Sequence, residues 1–149
     1  MNNQELKQLA MQGYQRFQSK DIAGLLELLT DDIEWVSAEH DELPFAGIHR
    51  GKQEVAQYFT ELDRSQEAQL FEPQTMIAED DRVAVMGRSR WTVRATGQTY
   101  DNPWVHIFTV RDGKVCRFEQ YNDTAAALKA FQGMQSATQQ AGQSATPLH

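Results

Sequence analysis

Residues 102–123 read NPWVHIFTVRDGKVCRFEQYND. Two runs of alternating apolar and polar residues flank Arg111-Asp112-Gly113, which supplies a glycine where a tight turn needs positive φ. The stretch is therefore a β-hairpin, with strands over about Thr99–Val110 and Val115–Asn122. Two registers are open. A three-residue loop with a glycine bulge sets Val110 opposite Lys114. It places Trp104, His106 and Phe108 on one face with Cys116, Phe118 and Gln120. A two-residue Asp-Gly turn sets His106 opposite Glu119 instead, because a slip of one residue reverses every side chain. The first register is preferred, since Phe118 then joins Trp104 and Phe108 on an apolar face. The second offers a chemically better pair, a carboxylate that would raise the His106 pKa and hold its tautomer.

Working upstream, Arg82–Arg94 is a long β-rich run in which Gly87 is the expected bulge. Leu70–Ala78 is extended, with Pro73 marking an edge or a bend. Glu79-Asp80-Asp81 and Thr96-Gly97 are turns. Four consecutive strands joined by short turns make a mostly antiparallel sheet. Nearer the N-terminus, Leu6, Leu9, Ala10, Gly13 and Phe17 recur at helical spacing and predict a helix over 4–18. Asp21 caps a second helix over 22–29. Ile33–Ser37 alternates as a short strand, and Ala38–Arg50, with Pro44 and Gly47, is a loop. Val55, Tyr58, Phe59 and Leu62 define a third helix from Gly51 to about Arg64. Downstream of the hairpin, Asp123 or Thr124 caps an Ala-rich helix over about 124–132. The fold class is thus α+β. A curved, mostly antiparallel sheet is wrapped by three N-terminal helices into a cone, with a short C-terminal helix. The mouth of such a cone is a natural small-molecule pocket.

Composition bounds the rest. The 149 residues suit one domain, expected over 1–132. The tail 133–149 has no Asp, Glu, Lys or Arg, is rich in Gln, Ser, Thr and Ala, and is expected to be disordered. With 14 Lys and Arg against 21 Asp and Glu, the net charge is −7. That argues against nucleic acid or an anionic membrane as the main partner. Cys116 is the lone cysteine, so no internal disulfide or Cys/His zinc spacing exists. No run of 18 apolar residues occurs and MNNQELKQLAMQGYQRFQ has no apolar signal region, which makes the cytoplasm the expected compartment.

The order of elements resembles the nuclear-transport-factor-2-like superfamily, and within it the SnoaL-like or ketosteroid-isomerase-like branch. The residues that carry the resemblance are KDIAGLLELLTDDIEWVS (20–37), LPFAGIHRGKQEVAQYF (43–59), the 102–123 hairpin and the Ala-rich helix after it, together spanning about 5–131. The resemblance implies a cystatin-like α+β barrel. It implies cofactor-independent proton-transfer chemistry of the isomerase, cyclase or hydratase kind on a small hydrophobic carbonyl or polyketide-like molecule. It also implies a homodimer formed through the sheet. The alternatives are a non-catalytic pocket for a small hydrophobic ligand and a protein-assembly module, because one fold hosts many functions. Residue by residue, the carboxylate base of steroid isomerases falls on Ser37, their oxyanion-hole tyrosine on Tyr14, and their protonated aspartic acid on His106. The late aspartate of SnoaL-like cyclases falls on Gln120. Two families' catalytic carboxylates are thus replaced.

The residues themselves make His106 the sharpest candidate, an imidazole between Val105 and Ile107 that can donate to an oxyanion or shuttle a proton. Tyr14 is a second donor and Gln120 a third catalytic candidate. Ser37 and Asn122 are orienting groups. Trp35, Phe45, Phe59, Trp91, Trp104 and Phe118 are expected to line the pocket. In the acidic stretch after the first strand, Glu39 or Asp41 could swing in as a base, although a solvated loop is the preferred reading. His40, His49 and His106 lack ligand spacing, so no metal site is expected. Arg88, Arg90 and Arg94 mark a solvated or dimer-facing strand face.

Overall fold

The computed structural model describes residues 1–133, and the expected tail lies outside the described residues apart from Gly133. The elements run α1 (Asn3–Gln18), α2 (Ile22–Glu27), β1 (Leu29–Ser37), β2 (Gly47–Arg50), α3 (Gly51–Ser65), β3 (Gln66–Glu79), β4 (Arg82–Val93), β5 (Thr99–Arg111), β6 (Lys114–Asn122) and α4 (Thr124–Phe131). One curved, unclosed sheet holds six strands in the order β2-β1-β6-β5-β4-β3. Every neighbouring pair is antiparallel except β1 and β6, which run parallel.

Local chemistry starts the helices where the sequence places them. Asn2 and Glu5 form a reciprocal capping box on α1. Asp21 accepts from the Gly24 amide and Asp123 from the Ala126 amide, capping α2 and α4. Leu6, Leu9, Ala10 and Tyr14 of α1 and Val55, Tyr58, Phe59 and Leu62 of α3 are buried against the inner face of the sheet. That face carries Val83, Val85, Trp91, Trp104, Phe108 and Phe118 in one continuous core. No described helix is long and apolar enough to cross a membrane.

Several expectations are corrected. The second helix stops at Glu27, and Leu29–Asp32 belongs to β1, where Leu29 pairs with Val115. The 38–50 loop contains β2, which pairs with β1 from Trp35↔His49 to Ser37↔Gly47. Four residues that are largely exposed have no buried alternation to announce a strand. Gly87 is not a bulge. The bulges lie opposite, on β3 at Gln69 and Gln74. Gly87 is required because a Cβ there would collide with the Trp104 indole and the Glu72 carbonyl.

The hairpin takes a route between the two registers. Asp112 and Gly113 both have positive φ, 52° and 80°, and Arg111 pairs with Lys114. This is the two-residue turn. A bulge at Cys116 then shifts the ladder by one, so Phe108 pairs with Phe118, His106 with Gln120 and Trp104 with Asn122. The preferred face is restored by a different turn, and His106 meets Gln120 rather than Glu119.

Candidate active site

Between the helices and the inner face of the sheet lies a cavity of about 70 Å³. Tyr14, Trp35, Phe45, Phe59, Trp91, Trp104, His106, Phe118, Gln120 and Asn122 all line it. Ser37 is the one candidate placed elsewhere. It is buried beside Gln120 in the ladder but is not among the lining residues.

One wall is built on His106. Its Nδ1 lies 2.8 Å from the Tyr14 hydroxyl, a buried contact between residues 92 apart in sequence. Trp104 stacks on the imidazole at 3.9 Å and 15°, and Phe118 closes a further side at 4.8 Å. Burial pushes the His106 pKa down to about 3, opposed in part by the Gln120 side chain. The ring is neutral near pH 7. Burial likewise pushes the Tyr14 hydroxyl well above the usual tyrosine range, so it keeps its proton. When that hydroxyl donates to Nδ1, the single ring proton sits on Nε2 and is available to an acceptor.

The opposite chemistry sits on Glu39, which is only 8% exposed. The Asn122 amide donates to one of its oxygens. Its Oε2 and the Asn122 Oδ1 are buried with no partner. Burial raises the Glu39 pKa. The Asn122 hydrogen bond works against this, and nearby Asp123 adds to it. Tyr58 and Tyr100 also line the cavity. Both hydroxyls are pushed up, first by burial and then in part by Glu39.

The preferred solvated reading of the acidic loop therefore holds for His40, Asp41 and Glu42, which are exposed, and not for Glu39. A signal for Glu39 was present. Ile33, Trp35, Ser37 and Glu39 continue one period-two row of buried positions past the end of β1. The Ala38 amide donates to the Gln120 carbonyl and extends the pairing that far. Leu43 and Phe45 then fold the loop inward as buried anchors.

Buried polar atoms without partners are uncommon in native proteins. Among the described residues, Trp35 Nε1, Trp104 Nε1, Glu39 Oε2 and Asn122 Oδ1 are four such atoms, and all belong to residues of this cavity. They are two donors and two acceptors carried by residues of an aromatic lining. The other histidines stand apart: His40 Nδ1 accepts from the Glu42 amide, and His49 Nε2 contacts the Phe45 carbonyl. Among the described residues, no three His, Cys, Asp or Glu gather in a metal-binding cluster. Arg88, Arg90 and Arg94 are spent on exposed ion pairs with Glu72, Asp101, Asp63 and Glu67.

Comparison with known proteins places this geometry in a family. The chain is 33% identical to an NTF2-like protein from Burkholderia xenovorans, covering 88% of this chain and 98% of that one with a TM-score of 0.80. An NTF2-like protein from Burkholderia thailandensis is 27% identical over 89% of this chain and 99% of its own, with a TM-score of 0.78. TerC, co-crystallised with polyporic acid, is 26% identical over 86% of this chain and 98% of its own, with a TM-score of 0.76. None of the curated proteins matches the chain. The sequence profile of the SnoaL-like domain matches residues 11–118, and the chain belongs to that family.

Proposed function

We propose that the protein is an enzyme that moves a proton on a small hydrophobic carbonyl compound without a cofactor, in the manner of an isomerase or cyclase. The observation that carries this reading is a pair of opposed groups on one aromatic cavity. A buried carboxyl of raised pKa, Glu39, belongs to the lining and keeps one oxygen unpartnered, and a neutral imidazole, His106, is held by Tyr14. In the step we envisage, the substrate oxygen accepts a hydrogen bond from His106 Nε2 or from the Tyr14 hydroxyl. The Glu39 carboxylate takes a proton from the adjacent carbon. The C–H electron pair moves into a new C=C bond, and the carbonyl π pair moves to oxygen, where the donors stabilise the enolate. The protonated Glu39 then returns the proton to the same α carbon or, where the substrate carries a C=C beyond it so that a dienolate forms, to the γ carbon, which shifts the double bond into conjugation. A carboxyl with raised pKa suits this because a general base works best when its pKa approaches the working pH. Gln120 and Asn122 orient the donors and the base, and the aromatic residues exclude water. TerC's co-crystal with polyporic acid agrees with an organic ligand in a relative of this fold.

The test is proton exchange. In D₂O, the protein is incubated with a panel of hydrophobic ketones and the α-proton signals are followed by NMR. We expect exchange accelerated at least about a hundredfold, the low end of positioned acid–base catalysis. Saturable binding with no exchange would overturn the enzymatic reading in favour of a ligand-binding pocket, the function that Gln120 and Ser37 in place of carboxylates would then fit.

A homodimer through the outer sheet face belongs to the same reading. The ladder sets Ile77 beside Ala84 and Ile107, and Met86 beside Val105 and Tyr121. Ile77 is 57% exposed and Tyr121 44%. A contiguous apolar strip of this kind marks an interaction surface. Light scattering should give twice the chain mass, and Ile77→Lys should reduce it to a single chain. A monomeric mass for the unsubstituted protein would remove the dimer.

A further inference from the structure

A second, larger recess adjoins the cavity, and neither the family assignment nor the reaction above uses it. It is a solvent-open groove between α3 and the first half of β3, beside the cavity of about 70 Å³. The two spaces share Phe17, Phe59, Leu62, Gln66, Phe71 and Trp91 as walls. The three phenylalanines form a collar of rings, with Trp91 against it. Phe17 lies 5.9 Å from Phe59 and 5.1 Å from Phe71, and Phe71 lies 6.4 Å from Trp91. Phe17 and Phe71 are only partly buried, whereas Phe59 and Trp91 are buried. The backbone beside the collar is tied down, because Gln18 Nε2 donates to the Phe71 carbonyl at 3.1 Å. A ligand spanning both spaces would have to turn Phe17 or Phe71, the two partly buried rings. The β3 bulge at Gln69 lies in the groove wall, where it bends the strand. The groove rim is polar, with Lys20, Arg64 and Glu67, while Ala56 and Ala68 leave room within it.

We propose that the substrate is longer than the inner cavity. Its reacting carbonyl end lies among Glu39, His106 and Tyr14, and an apolar chain or ring passes the Phe17–Phe59–Phe71 collar into the outer groove. This rests on the preceding reading that the cavity takes a hydrophobic carbonyl compound. The occupant is the far end of that ligand because six walls are common to both spaces, the shared walls are mostly aromatic or aliphatic, and the inner space alone is small. The substrate class is therefore an elongated aryl or alkyl ketone rather than a compact one. The collar and the small residues Ala56 and Ala68 set the length that is accepted.

The probe is a series of alkyl phenyl ketones from acetophenone to octanophenone, with Kd read from fluorescence of Trp35, Trp91 and Trp104, all of which line the cavity. Each methylene entering the groove should tighten binding about fourfold, the value for a buried CH₂. In Ala68→Trp, a substitution at an exposed position of the groove, that gain should vanish for octanophenone while the acetophenone Kd stays within about twofold. If acetophenone binds and chain length makes no difference, the two-chamber substrate is wrong and the inner site stands. An octanophenone Kd unchanged in Ala68→Trp would likewise overturn the groove as its seat. If no ketone of any length binds, the carbonyl reading falls and this inference falls with it.

Discussion

Glu39→Gln should lower ketone proton exchange by about 10²- to 10⁴-fold, the range for loss of a positioned acid–base group. The substitution keeps the size and the contact with Asn122 but removes the proton acceptor. The fold should be retained, and stability should move in a diagnostic direction. Burial raises the Glu39 pKa in the folded chain, so the folded state binds more protons than the unfolded state above the ordinary glutamate value of about 4.3. The Glu39 contribution to stability therefore falls as pH rises from that value to the raised one, and is level beyond. Glu39→Gln should be as stable as the parent at pH 4 and more stable at pH 7, as read by urea unfolding at the two pH values. Glu42→Gln, on the same loop but exposed, should leave exchange unchanged. Full exchange activity in Glu39→Gln would remove the carboxyl from the reaction.

His106 should make the protein acid-labile in a window that overlaps that of Glu39, with the opposite sign. Its pKa falls from an ordinary value near 6.5 to about 3 in the fold. Below pH 6.5 the unfolded chain takes up a proton that the folded chain refuses, so stability is full above 6.5 and drains away down to about pH 3. The full difference corresponds to roughly 5 kcal/mol, a large share of a typical domain's stability. The double variant Tyr14→Phe/His106→Phe removes both partners of the buried hydrogen bond and should lose far less stability between pH 6.5 and 4. Tyr14→Phe alone should cost about 1–3 kcal/mol at pH 7, because it leaves the imidazole Nδ1 unpaired in an aromatic cage. Identical acid unfolding of parent and double variant would show that another group governs the transition.

These two residues also show where reading the chain succeeds and where it stops. His106 could be picked out because strand alternation and a core-facing apolar row are local properties of 104–118. Its partner Tyr14 was named from the resemblance, but the contact joins α1 to β5 across 92 residues. The acidic stretch around Glu39 reads as solvated in sequence, whereas in the fold Glu39 continues the buried row Ile33, Trp35, Ser37. The short β2 had too few buried positions to declare itself. The parallel β1–β6 pair joins segments separated by most of the chain, so no turn between them could reveal it.

What the amino-acid sequence determined by itself is whatever depends on near neighbours. That covers the capped helices, the alternating strands, the Asp-Gly turn and the aromatic row that becomes the cavity wall. Only the tertiary structure decided the Cys116 bulge that turns His106 toward Gln120, and the burial of Glu39 against Asn122. It alone showed the groove that shares the phenylalanine collar with the cavity. The physical reason is the same in each case. Register, desolvation and shared walls are set by atoms from distant segments, and their free energy exists only once those segments meet.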